Sequence, residues 1–86
     1  MYNICMPTIF QINNKLRVVI NTKDHNPPHV HVIHDGIGAE AKIGVPQLGV
    51  ITSYGFSQSD LKLIIKYLSL RINEIGEKWN EIHGQK

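Results

Sequence analysis

Apolar and polar residues alternate along several short segments in the first half of the chain, and a period of two predicts β-strands. Residues 8–12 are rich in β-prone side chains, and Asn13-Asn14 then favours a tight turn. Residues 15–21 alternate again. Their faces divide as Leu16, Val18 and Ile20 on one side and Lys15, Arg17 and Val19 on the other. Two such runs around a short Asn-rich turn predict a β-hairpin.

A second hairpin is predicted further along the chain, after the rigid Pro27-Pro28 pair. Residues 29–34 and 39–43 form its two strands, and Asp35-Gly36 begins the turn between them. One face of this hairpin is apolar, with Val30, Val32, Ala39, Ala41 and Ile43. The opposite face carries His29, His31, Glu40 and Lys42, because side chains two residues apart on a strand share a face.

The second half of the chain predicts a loop and then one long amphipathic helix. Glycine and proline interrupt residues 44–56, where we expect a loop with at most one short edge strand. Ser57 and Asp60 have the spacing of a helix capping box. The apolar stripe that follows has helical spacing and comprises Leu61, Ile64, Ile65, Leu68, Ile72, Ile75, Trp79 and Ile82. Gly76 lies within this stripe and is a candidate position for a kink.

Together these elements predict an α+β fold in the order ββββα, in which a four-stranded antiparallel sheet is covered on one face by the C-terminal helix. A helix of this length is stable only if it buries its apolar stripe, and the sheet offers a matching apolar face. We expect a single domain over residues 1–86. Its predicted parts are an N-terminal extension at 1–7, the sheet at 8–43, the loop at 44–56 and the helix at 57–83.

Composition narrows the class of protein. The 86 residues carry a net charge of +2, which permits nucleic acid as a partner without requiring it. Cys5 is the one cysteine, so an internal disulfide is excluded and a reducing compartment is favoured. The chain has no apolar run long enough for a membrane span and no signal-peptide pattern at its start, so we expect a cytoplasmic protein without membrane contact.

The face of the sheet that the helix leaves uncovered carries the candidate chemistry. Alternation and hairpin pairing predict that Arg17, His29, His31, Glu40 and Lys42 converge on an open surface, with His25 in the loop just before it. Such a cluster suits phosphodiester cleavage without a metal or other cofactor. His29 and His31 would act as acid and base, Lys42 would stabilise the developing charge, and His25, Arg17 and Glu40 would contact the substrate.

The same residues also fit other interpretations. His25, His29 and His31 are a possible metal-ligand set, with Asp24 or Glu40 as an alternative third ligand. The cluster also suits phosphate binding without catalysis. In the plainest interpretation the two strand histidines are polar surface residues and the loop before them is a structural connector.

Several segments resemble a family of small bacterial proteins known as domain-of-unknown-function family 4160. They are Met6–Phe10, the run Asp24-His25-Asn26-Pro27-Pro28-His29-Val30-His31-Val32, Glu40–Lys42, Gly55–Ser57 and Trp79. The resemblance extends from Met6 to about Gly84 and implies that Met6 is the usual start. It brings no agreed activity. It does imply a neighbouring gene for a second small protein and a toxin–antitoxin-like module.

Two hypotheses for function follow from these observations. In the first, the chain is a component of a toxin–antitoxin-like module that binds or cleaves RNA through its histidine-bearing face. In the second, it is a non-enzymatic antitoxin or regulator whose sheet face or exposed edge binds a partner protein. Its sheet edges lack obvious protection by charge, so a homodimer is also compatible with the sequence.

Overall fold

The computed structural model describes residues 8–13, 15–20 and 28–83. Its elements are β1 (Thr8–Ile12), β2 (Leu16–Val19), β3 (His29–His34), β4 (Ala39–Gly44), β5 (Val50–Tyr54), α1 (Gln58–Leu70) and α2 (Ile72–His83). The strands form one antiparallel sheet in the order β1-β2-β3-β4-β5, so that every strand pairs with its neighbour in sequence. The predicted α+β class and the antiparallel sheet are confirmed.

The prediction of four strands is wrong, because the segment assigned to a loop contains β5. Val50, Ile51 and Thr52 are β-branched residues, whose stiff side chains favour extended backbone. Gly49 and Gly55 lie just outside the strand and bound it without interrupting it. All five residues of β5 are exposed, so it lacks the alternating burial that β4 shows.

The prediction of one helix is also wrong, because the helical segment is divided at Arg71. The Arg71 N–H donates to Leu68 O at 3.0 Å, a tighter turn than in an α-helix, and α2 begins one residue later. Just before the break, the Ser69 hydroxyl donates to Lys66 O at 2.7 Å, a backbone contact of the kind that weakens and bends helices. Gly76, the candidate kink position, lies inside α2.

The core lies between the apolar face of the sheet and the two helices. Every residue of the predicted helical stripe belongs to this core or packs against it. The sheet contributes the fully buried Val18, Val30, Val32, Ala41 and Ile43. The break at Arg71 therefore leaves the apolar stripe on the sheet, as helix-on-sheet packing requires.

The connection from β5 to α1 is built from one close approach and one cap. Gly55 has a φ of 84°, and a β-carbon placed on it would lie 2.6 Å from the Ala39 Cβ. After Gly55, the Ser57 hydroxyl accepts from the Asp60 N–H, and the Asp60 carboxylate accepts from the Ser57 N–H, both at 3.1 Å. The capping box predicted from the sequence is thus present at the start of α1.

Neither helix in the described part of the chain has both the length and the apolar character needed to cross a bilayer.

Candidate functional site

The centre of the histidine-bearing face is a contact between β3 and β4. His31 Nδ1 lies 3.1 Å from Glu40 Oε2, and the pair is an ion pair when the imidazole is protonated. The antiparallel register brings the two side chains together, because His31 lies opposite Lys42 and Glu40 lies opposite Ile33. The other carboxylate oxygen, Glu40 Oε1, accepts from the Tyr54 hydroxyl at 3.4 Å. Three neighbouring strands therefore each contribute one polar group to this chain of contacts.

His29 joins this cluster to the core. Its ring centroid lies 5.3 Å from that of His31, with the ring planes at 71°, and 5.7 Å from the Trp79 ring of α2. The strand register places Lys42 next to His31, because Lys42 pairs with His31 on β3 and with Thr52 on β5. His29, His31, Glu40 and Lys42 therefore lie near one another on adjacent strands, and the functional roles assigned to them stay predictions.

The prediction that this surface is open is wrong for the two histidines. His29 and His31 are only 7% and 8% exposed, and Val19, which lies opposite His31 on β2, is fully buried. Glu40 and Lys42 are half-buried, so the accessible part of the cluster is on the β4 side.

Arg17 is directed away from the histidines. Its guanidinium donates to both carboxylate oxygens of Asp35, from Nε at 2.7 Å and from Nη2 at 3.0 Å. These hydrogen bonds raise the pKa of Arg17 and lower the pKa of Asp35. A carboxylate thus holds the guanidinium in this structure, and the role of Arg17 as a phosphate contact stays a prediction.

The remaining predicted residues belong to the loop before β3. His25 and Asp24 lie outside the described residues, so the substrate contact assigned to His25 stays a prediction. Within residues 8–13, 15–20 and 28–83, no group of three His, Cys, Asp or Glu side chains is arranged to hold a metal ion. The metal hypothesis therefore needs His25 or Asp24 as its third ligand, and it also stays a prediction.

Comparison with known proteins gives one match. The model of a protein family described as a domain of unknown function, DUF4160, matches residues 16–80. The chain belongs to this family. The predicted resemblance is therefore confirmed, and the matched range includes four of the five strands and most of both helices. No curated protein and no solved structure matches this DUF4160 chain.

A second candidate site of this DUF4160 chain is the strand β5, which the sequence analysis allowed only as a short edge strand within a loop. All five side chains of β5 are exposed, and three of them are large and apolar: Val50, Ile51 and Tyr54, at 40%, 50% and 63% exposure. In the described part of the chain β5 is the last strand of the sheet, with β4 on one side only. The β-branched run at its start was the available signal, but the glycines around it favoured a loop.

Proposed function

We propose that this DUF4160 chain is a protein-interaction module that binds an extended segment of a partner protein along β5. The observation that carries this proposal is that, among the described residues, β5 is an edge strand with every side chain exposed. An edge strand presents a row of backbone N–H and C=O groups with which another strand can pair. Strand addition of this kind is a recurrent mode of peptide recognition, in which the backbone supplies affinity and alternate side chains supply specificity.

The composition of β5 supports the proposal. Proteins usually protect an edge strand with charged residues or proline, and Val50–Tyr54 contains neither. Exposed apolar residues are also concentrated here, because half of the large exposed apolar side chains in the described part of the chain belong to this one strand. An uncharged apolar edge is an aggregation hazard unless it is covered, and a cognate partner strand covers it.

The proposed occupant is a different protein and not a second copy of this chain. The pairing of β4 with β5 contains a bulge between Lys42 and Ile43, where two residues of β5 advance against one of β4. If the β5 strands of two copies paired antiparallel about Thr52, the bulged Val50 end of each strand would lie opposite the regular Tyr54 end of the other. The two ends would then not match in hydrogen-bond spacing, which disfavours a second copy as the occupant. In this proposal the partner is the product of a neighbouring gene, and the two proteins form the toxin–antitoxin-like module that the family resemblance implies.

Co-expression with the neighbour-encoded protein tests the proposal. Ile51→Lys and Ser53→Lys place charges at two exposed positions of β5, whereas Ser59→Lys places the same charge on an exposed position of α1. We expect the wild type and Ser59→Lys to co-purify with the partner in a defined ratio through size exclusion, and the two β5 variants to elute alone. Equal complex formation by all four proteins would exclude β5 as the binding site.

RNA binding or cleavage is a second candidate, favoured by the contact between His31 and Glu40 and by the position of Lys42 opposite His31. A carboxylate that orients an imidazole beside a cation is an arrangement suited to proton transfer at a phosphodiester. The burial of His29 and His31 weighs against it, because RNA would reach the imidazoles only after the surface opens.

Inducible expression in a bacterial host separates this candidate from the first. The acid–base function predicts that the wild type arrests growth and degrades RNA. It also predicts that His31→Asn and Glu40→Gln lose both effects, whereas Ile51→Lys retains them. A harmless wild type, or toxicity unchanged in the His31 and Glu40 variants, would reject it.

A further inference from the structure

Beside its buried face, α1 carries a second line of apolar residues, in which two leucines are exposed and the tyrosine between them is half-buried against the core. Leu63, Tyr67 and Leu70 are spaced at i, i+4 and i+7 and therefore lie on one side of the helix. Leu63 is 49% exposed and Leu70 is 74% exposed, whereas the core side of the same helix buries Leu68 completely. We call these three residues the outer stripe.

A groove runs beside the outer stripe. Its volume is about 270 Å³, and its apolar walls include Ile12, Leu16, Ile37, Phe56, Leu63 and Tyr67. They come from the facing ends of β1 and β2, the turn between β3 and β4, the connection before α1, and α1 itself. Sites for whole small molecules usually enclose about 300–1,000 Å³. The groove is thus better matched to one or two side chains of a larger partner.

The charge around the groove and the stripe is predominantly positive. Lys15 lines the groove, and the exposed Lys62 and Lys66 follow one flank of the outer stripe. Asp60 also lines the groove, but its carboxylate accepts the Ser57 N–H in the helix cap. Two copies of the chain placed stripe to stripe would bring these lysines together, so a second copy is an unfavourable occupant.

We infer that the groove and the outer stripe bind an acidic amphipathic helix of another protein. A helix presents apolar side chains at i, i+3 or i+4, and i+7, which is the spacing needed to follow the outer stripe and place one side chain in the groove. Acidic residues on its flanks would face Lys15, Lys62 and Lys66. This surface is separate from β5, and the inference does not depend on the proposed function.

Fluorescence anisotropy with a designed peptide tests the inference. The probe is a labelled peptide of about four helical turns, with leucines at the stated spacing and glutamates elsewhere. A matched peptide has lysine in place of every glutamate. We expect the acidic peptide to bind saturably, to weaken on addition of salt, and to bind more tightly than the basic peptide.

Variants of exposed residues locate the binding site. Leu63→Ser and Leu70→Ser should each weaken binding by about tenfold, which is the effect of withdrawing one buried leucine from an interface. Lys62→Glu with Lys66→Glu should weaken the acidic peptide and strengthen the basic one. Ile51→Ser, on β5, should leave the affinity unchanged.

Three results would overturn the inference. The first is no saturable binding of the acidic peptide, and the second is equal binding of both peptides. The third is a wild-type dimer in sedimentation that becomes monomeric in Leu70→Ser, since a second copy would then occupy the stripe.

Discussion

Arg17 and Asp35 are joined by two hydrogen bonds, of 2.7 and 3.0 Å, between β2 and the turn that follows β3. The planar guanidinium matches both oxygens of the carboxylate, a geometry that fixes the direction of the side chain. Arg17 therefore braces the turn between β3 and β4 and is removed from the cluster around His31.

This contact predicts a dependence of stability on acid pH. The hydrogen bonds from Arg17 lower the pKa of Asp35 below its ordinary value of 3.8. A carboxyl group with a lowered folded-state pKa contributes stability above its unfolded pKa and loses that contribution as the pH falls through the folded pKa. The free energy of unfolding of wild type and Asp35→Asn should therefore differ at neutral pH and converge below about pH 3.8, as measured by urea denaturation. A difference that stays constant down to pH 2 would contradict the pairing.

Adding one methyl group at Gly55 should lower the stability of the fold substantially. Gly55→Ala forces an L-residue to a φ of 84° and sets its β-carbon 2.6 Å from Ala39 Cβ, so we expect a loss of about 2–4 kcal/mol. The control is Gly76→Ala, where a β-carbon meets nothing within 4 Å inside α2, and this variant should gain about 0.5–1 kcal/mol. Thermal unfolding measures both. Equal effects at the two positions would show that the close approach to Ala39 is incorrect.

The orientation of α1 predicts opposite sensitivities at two leucines. Leu68 is fully buried, so Leu68→Ala should lower the free energy of unfolding by about 2–5 kcal/mol. Leu70 is 74% exposed, and Leu70→Ala should change the free energy of unfolding by less than about 0.5 kcal/mol. Urea denaturation of the two variants checks the helical phase, and the reverse order would refute it.

The cap of α1 predicts a specific cost at Ser57. Its hydroxyl accepts from the Asp60 N–H, and removing it in Ser57→Ala should destabilise the protein by about 1 kcal/mol. Ser59→Ala removes a hydroxyl from an exposed position within the first turn and is the matched control, with no expected loss. A loss at Ser59 equal to that at Ser57 would show that the cap does not hold this helix end.

The sequence was sufficient to predict most of the sheet and its contact with the helices. Alternation in residues 29–34 and 39–43, and the helical stripe from Leu61 to Ile82, identified the buried faces because each of these elements has one apolar side. Pairing by register then brought His31 to Glu40, as expected for adjacent antiparallel strands.

The remaining features depend on tertiary structure that a local pattern does not encode. The alternation in β3 assigns His31 to the face opposite the core, but it does not reveal that Val19 beside it is also buried. Both faces of β5 are exposed, so no packed layer imposes an alternation of apolar and polar residues on it. Asp35, which accepts hydrogen bonds from the Arg17 guanidinium, lies in a turn 18 residues away in sequence, so the contact is not visible in the pattern of β2 alone.

Hydrogen exchange along β5 is the most direct test of partner binding by strand addition. The amides of residues 50–54 are compared in the free chain and in the presence of the co-expressed neighbour-encoded protein, with residues 62–66 of α1 as an internal reference. Pairing with an added strand predicts strong new protection in β5. Stable complex formation that leaves exchange in β5 unchanged would contradict the proposed function.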